Sequence, residues 1–186
     1  MSEERKHRVC PVEHAGVLDS GLRKLFQDPR KILSPHVREG MAAIDLGCGP
    51  GYFTLGLARL VGPAGRVTAA DLQEGMLAKA RSKLATAGLA ERMSFHLGGA
   101  DAIGLPPASR FDFALAFYML HEVPEPLRFL GEVRSLLKPG GRFLAVEPKW
   151  HVTREAFQAT IGLMRQAGFA VLAEPAIRFS RAVLLG

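Results

Sequence analysis

From residue 41 onward, short apolar runs and longer amphipathic stretches take turns, with Gly or Pro at most of the joints. Residues 41–46, 66–70, 93–97, 111–118 and 142–147 have the length and apolar content of buried strands. Between them, residues 52–60, 73–87, 124–137 and 153–167 carry apolar side chains at helical spacing. Repeated strand–helix alternation requires a mostly parallel sheet with helices on both faces. The last two apolar runs, 169–173 and 177–185, are separated only by Glu174-Pro175-Ala176. That link is too short for a crossover, so these strands pair antiparallel. The expected fold is α/β: one doubly wound, mostly parallel seven-stranded sheet with a C-terminal antiparallel hairpin.

A chain of 186 residues is long enough to hide roughly 70% of its extended surface. Cys10 and Cys48 are too few for a disulfide scaffold or a four-Cys zinc site. The N-terminus is charged and lacks the apolar stretch of a secretory signal. The longest apolar run, residues 113–120, is far short of the about 20 residues a membrane span needs. These features predict a cytoplasmic protein with no membrane span. Residues 1–13 read as a loose tail, 14–27 as a helix, and 29–34 as a short helix begun by Asp28-Pro29 and ended by Ser34-Pro35. Residues 1–39 are thus expected to be an N-terminal tail and helical lid, and 40–186 the ligand-binding domain. The net charge of +6 permits an acidic partner such as nucleic acid. The basic residues are scattered, however, and not interleaved with aromatics as in a single-strand groove.

In open α/β sheets the ligand binds at the carboxyl ends of the strands, where strand order reverses. Three carboxylates fall at such ends: Asp45, Asp71 and Asp101. The first strand runs into Asp45-Leu46-Gly47-Cys48-Gly49-Pro50-Gly51 and then a helix. Glycines let such a loop take positive φ and let a ligand approach its backbone. The helix N-terminus that follows suits an anion, and an amino-acid carboxylate serves as well as a phosphate. Asp71 is placed to bind two ribose hydroxyls, and Asp101 to accept from an exocyclic amine such as that of adenine.

Competing motifs are absent. No Gly-Lys pair occurs, which removes the triphosphatase loop. The dinucleotide fingerprint needs Gly where Tyr52 stands. Neither tyrosine begins a Tyr-x-x-x-Lys, because Gly56 follows Tyr52 at that spacing and Glu122 follows Tyr118. His121-Glu122 is not a zinc HExxH, because Glu125 occupies the second His position.

The Asp45–Gly51 loop, with Asp71-Leu72 and Asp101-Ala102 at these intervals, resembles the class I S-adenosylmethionine-dependent methyltransferases, most of all the quinone-biosynthesis and type 11 small-molecule branch. Leu136-Leu137-Lys138-Pro139-Gly140-Gly141, before the fifth strand, is a further point of likeness. The resemblance is strong over about 40–148, looser to 186, and absent before 40. It implies that Asp45 and the loop amides around Gly47, Gly49 and Gly51 hold the amino-acid end of S-adenosyl-L-methionine. It puts Asp71 on the ribose, Leu72, Met76 and Ala102 around the adenine, Asp101 at its amine, and Phe117 under the methionine portion. Tyr118 and His121, after the fourth strand, are expected to face the substrate.

A sulfonium methyl is already activated, so holding a nucleophile in line with water excluded suffices. No metal is required, and a base only if the acceptor must lose a proton. No catalytic residue is assigned: His121 is open between a structural role, substrate contact and a general base. The place after the fourth strand reads Ala116-Phe117-Tyr118-Met119, not the Asn/Asp-Pro-Pro-Tyr/Phe usual in base-modifying amino methyltransferases. The expected function is methyl transfer to a small-molecule acceptor. The alternatives are an RNA or protein methyltransferase using the basic surface, and a non-catalytic cofactor-binding module. The chain is short for this fold, so a substrate lid must come from residues 1–39, from a neighbouring subunit in a homodimer, or from both.

Overall fold

The computed structural model describes residues 26–100 and 102–186. Most of the helix expected over 14–27, and Asp101, lie outside the described residues. Helix α1 (Pro29–Leu33) begins at Asp28, whose side chain accepts the Arg30 N–H at 2.9 Å. There follow β1 (Ala42–Leu46), α2 (Tyr52–Leu60), β2 (Arg66–Asp71), α3 (Glu74–Thr86), β3 (Met93–Leu97), β4 (Phe111–Phe117), α4 (Pro126–Leu136), β5 (Leu137–Pro148), α5 (Arg154–Gln166), β6 (Val171–Ala173) and β7 (Ser180–Leu185). The strands form one seven-stranded sheet in the order β3-β2-β1-β4-β5-β7-β6. Strands β1 to β5 pair parallel, while β7 pairs antiparallel with β5 and β6. The expected doubly wound sheet with its closing hairpin is therefore what the chain forms. Among the described residues no helix is long and apolar enough to cross a membrane.

Successive strand residues bury on opposite faces, which is why the central strands read as unbroken apolar runs. On one face Ile44, Leu46, Ala114, Ala116, Phe143 and Ala145 pack under α4 and α5 through Leu130, Val133, Ile161 and Met164. On the other, Ala43, Phe113, Leu115, Leu144 and Val146 pack under α1 and α2 through Leu33, Phe53 and Leu57. Helix α3 seals a smaller cluster of Leu77 and Ala80 against Cys48 and Ala69. Leu33, with 0% of its surface exposed, and Val37 lie inside the core, so the packed unit extends upstream of residue 40.

Several boundaries differ from the sequence expectation. Residues 138–141, expected as a turn before the strand, are part of β5: Phe111 pairs with Leu137 and Phe113 with Arg142, and the intervening residues of β5 bulge opposite Asp112. The bulge gives Pro139 a place without a ladder N–H, and Lys138 Nζ donates to Asp112 Oδ2 at 2.8 Å. The expected helix start at Pro124 moves to Pro126, which takes the first helical turn. The final strands are shorter than the apolar runs that announced them. Phe169 and Ile177 are buried but lie off the ladder, so burial alone gave them strand character in the sequence.

Candidate functional site

The sheet's order reverses between β1 and β4: β2 and β3 continue on one side, β5 on the other. At the carboxyl ends of β1, β2 and β4 a cavity of about 570 Å³ opens, at the place where such sheets take their ligands.

Strand β1 delivers Asp45, 2% exposed, to the cavity floor. Its Oδ2 accepts from Thr54 Oγ1 at 2.6 Å, which ties the strand end to the first turn of α2. Between them the chain reverses on Gly47, Gly49 and Gly51, with φ of 64°, 53° and 82°. The three glycines are needed for different reasons. A Cβ on Gly47 would lie 2.9 Å from the Met119 Cβ and Cγ, and one on Gly51 would lie 3.0 Å from the Ala80 Cβ. One on Gly49 would meet no atom of the described residues within 4 Å. Gly47 and Gly49 line the cavity, whereas Gly51 serves the packing of the loop on α3.

Strand β2 ends at Asp71, whose Oδ2 accepts the Gly49 N–H at 2.8 Å and whose Oδ1 accepts the Gln73 N–H at 2.9 Å. Burial raises its pKa and these amides oppose the rise, with burial prevailing. A carboxylate has about four lone-pair sites, so Asp71 keeps capacity for further donors. Leu72, Gln73 and Met76 continue this wall, and Gly98, whose N–H donates to Asp71 O at 3.0 Å, extends it with Gly99 and Ala100. Cys48 is buried, and burial followed by the charges of Asp45 and Asp71 drives its thiol pKa far upward, so it acts as a small apolar residue.

The opposite wall is aromatic. Phe117, at the end of β4, stacks on Phe53 with centroids 3.9 Å apart. Tyr118 then takes φ of 65°, unusual for a residue with a Cβ. Its N–H is held by Val146 O at 2.8 Å, and its hydroxyl bonds Ser180 Oγ at 2.6 Å and Gln27 Nε2. The strain is offset by these bonds and turns the ring towards Trp150, 5.4 Å away and 69% exposed at the rim. Beyond it a single turn carries His121, whose Nδ1 is bonded to Glu147 Oε2. Glu147 lies near the end of β5, 2% exposed, and its Oε1 accepts the Leu120 N–H at 3.0 Å. Burial alone would lower the His121 pKa; the hydrogen bond and charge of Glu147, with the charge of Glu122, outweigh it and the net shift is upward.

Of the residues singled out in the sequence, Asp45, Gly47, Gly49, Asp71, Leu72, Met76, Phe117, Tyr118 and His121 line this one cavity. Gly51 and Ala102 do not, and Asp101 lies outside the described residues. Sequence reasoning passed over Glu147, although it is a fourth acid at a strand end and carries the same signal as Asp45 and Asp71. It also passed over Trp150 and His151 in the loop after β5, where no motif marks them. Among the described residues lining the cavity there is no Lys or Arg, although the whole chain carries +6.

A family profile described as a methyltransferase domain matches residues 37–168. The ubiquinone/menaquinone biosynthesis C-methyltransferase UbiE of Pasteurella multocida is 36% identical over 111 residues, 60% of this chain and 41% of that protein. The demethylmenaquinone methyltransferase of Staphylococcus aureus strain JH9 is 38% identical over 112 residues, 60% of this chain and 44% of that protein. The chain thus matches less than half the length of each of these two relatives. Among solved structures, a SAM-dependent methyltransferase from Aquifex aeolicus superposes with a TM-score of 0.85 at 26% identity, over 95% of this chain and 98% of that one. The glycine loop at the sheet's reversal point, the acids on β1 and β2 and these likenesses together place the chain in the class I S-adenosylmethionine-dependent methyltransferase family.

Proposed function

We propose that this protein transfers the methyl group of S-adenosyl-L-methionine to a ring carbon of a small, flat, hydroxylated aromatic acceptor of the quinone-biosynthesis kind. The observation that carries this reading is the division of the cavity. One side offers Asp45, Asp71 and the open loop at Gly49; the other offers Phe117, Tyr118 and Trp150. A lining with carboxylates and no Lys or Arg among the described residues suits a cationic sulfonium and a neutral acceptor, and disfavours a pyrophosphate or a nucleic-acid backbone.

The residues present fit the cofactor. Among the described residues nothing takes the space of a Cβ on Gly49, so a ligand can lie against that backbone. Asp71 has acceptor capacity for ribose hydroxyls, and Leu72 and Met76 offer an apolar flank for adenine. The cofactor supplies an activated methyl on a positively charged sulfur. The chain supplies position: Asp45 and the loop amides hold the amino-acid end, Phe117 lies beneath the reacting portion, and Tyr118 and Trp150 flank the acceptor. Residues 1–39 are the proposed lid. Gln27, within that stretch, lies beside this wall, where Tyr52 Oη donates to Gln27 O at 3.1 Å and Gln27 bonds Tyr118. A cytoplasmic location and a homodimer belong to the same proposal.

The test is a labelled-methyl assay on a reduced naphthoquinone lacking its ring methyl, with the product located by mass spectrometry. Methyl on ring carbon is expected. Calorimetric binding of S-adenosylhomocysteine with no transfer to this acceptor or to a metabolite extract would overturn the enzymatic reading and leave a binding module.

A further inference from the structure

The His121–Glu147 pair has the form of an oriented base. Glu147 is buried near the end of β5 in the sheet, and its two oxygens are spent on two neighbours, the Leu120 N–H and His121 Nδ1. Burying a carboxylate is costly unless it is paired, and packing Leu120 needs no charge. The charge instead fixes the imidazole. With Nδ1 engaged by Glu147, Nε2 is the nitrogen left for a ligand in the cavity that His121 lines. A carboxylate behind Nδ1 selects that tautomer and stabilises the imidazolium once Nε2 is protonated.

Resting on the methyl-transfer reading above, we propose that His121 is a catalytic residue that takes the proton of an acceptor hydroxyl, and that Glu147 is the positioning residue that sets its basicity. The acceptor's O–H bond breaks and an N–H bond forms at Nε2. The electron pair stays on oxygen, where it raises electron density in the attached ring, and the proton leaves to solvent from the imidazolium. An aromatic hydroxyl is acidic enough for a histidine to ionise within the site; an aliphatic one is not. The groups facing the imidazole agree with this direction. Glu147 lies behind Nδ1 and Glu122 Oε1 is 3.9 Å from Nε2, both favouring the cation. The His151 ring, from the loop after β5, is 4.7 Å away and opposes it only when itself charged.

The experiment uses 4-nitrophenol, whose ionised form alone absorbs strongly in visible light. It is titrated onto the full chain saturated with S-adenosylhomocysteine, at a pH one unit below the phenol's own pKa. The wild-type protein is expected to bind it as the phenolate, with the ionised-to-neutral ratio raised about tenfold or more over free solution. His121→Asn should bind the neutral phenol. Glu147→Gln, which keeps an oxygen for the Leu120 N–H, should remove most of the enrichment while leaving S-adenosylhomocysteine affinity near wild type and, at a pH above the folded His121 value, the melting temperature near wild type as well. A purely structural Glu147 would lower the melting temperature by the same amount at every pH and leave the spectrum unchanged. Equal enrichment in His121→Asn, a neutral phenol on the wild type, or no saturable binding of the phenol would each overturn the proposal. Failure of the wild type to bind S-adenosylhomocysteine would instead overturn the methyltransferase reading, so the two failures are told apart.

Discussion

Asp71 Oδ2 accepts the Gly49 N–H at 2.8 Å, and so joins the tip of β2 to the loop that leaves β1. The bond makes one carboxylate answer for two surfaces: it fixes the glycine loop and presents its remaining lone pairs to the cavity. Asp71→Ala should therefore weaken S-adenosylhomocysteine binding by about 10- to 150-fold, the loss of about 1.5–3 kcal/mol expected for hydrogen bonds to a charged group. Isothermal calorimetry measures this, and an unchanged affinity would refute the ribose assignment.

The two cavity-lining glycines should separate stability from binding. Ala at either position must adopt a left-handed conformation at about 1–2 kcal/mol. Gly49→Ala meets no atom of the described residues, so its melting temperature should fall by only a few degrees. Its cofactor affinity should fall more than that strain explains, because the methyl takes ligand space. Gly47→Ala also presses on Met119 and should melt lower than Gly49→Ala. Thermal melts with and without S-adenosylhomocysteine give both numbers. A Gly49→Ala protein with wild-type affinity would contradict the loop's role.

The sequence made the sheet legible because burial on both faces leaves central strands apolar throughout, and the crossover helices carry their own period. The wall formed by the ends of β1 and β2 was legible for a related reason: a glycine loop and an acid at a strand end are local features, adjacent in sequence to the elements that place them. The pairings behind the aromatic wall were not. Glu147 meets His121 across 26 positions, and Tyr118 meets Ser180 across 62. Neither pairing leaves a spacing signature. Residues 138–141 misled for the opposite reason, because Pro-Gly-Gly has the same local chemistry in a turn and in a bulge.

Residues 26–37 behave as part of the packed unit, which sets where a truncation can be made. Deleting 1–25 should leave a folded protein with lowered transfer activity if the missing segment is the lid. Deleting 1–33 also removes Leu33 from the core, at a cost near the about 2–5 kcal/mol of a buried Leu→Ala change. Urea unfolding distinguishes the two. A shorter deletion that keeps full activity would exclude the lid.

Glu132 on α4 reaches across to the loop after β3, with Oε2 accepting the Ile103 N–H at 2.8 Å and Oε1 the Gly104 N–H at 2.6 Å. His96 Nε2 bonds Ile103 O at 2.6 Å from the other side. This clamp holds the segment that continues the wall of Gly98 and Gly99. Glu132→Gln can satisfy one amide but not both, and should cost about 1 kcal/mol because the group is half-exposed. Hydrogen exchange should quicken at 102–105, and cofactor affinity should drop several-fold. Unchanged exchange there would show that the clamp carries no load.

The His121–Glu147 pair predicts a pH dependence of stability whose sign is fixed. Folding raises the His121 pKa above its ordinary 6.5, so the proton binds more tightly in the folded state than in the unfolded chain. That contribution is complete below pH 6.5 and fades as pH rises through the folded value. The difference in melting temperature between wild type and His121→Asn should therefore be largest in mild acid and shrink above neutrality. Against a Glu147→Gln background the same difference should be nearly flat, because burial then acts on the imidazole with only the more exposed Glu122 to oppose it. Melts of the four proteins of this cycle from mild acid to mild base measure it. A wild-type difference that grows with pH would mean that burial, and not Glu147, governs the histidine.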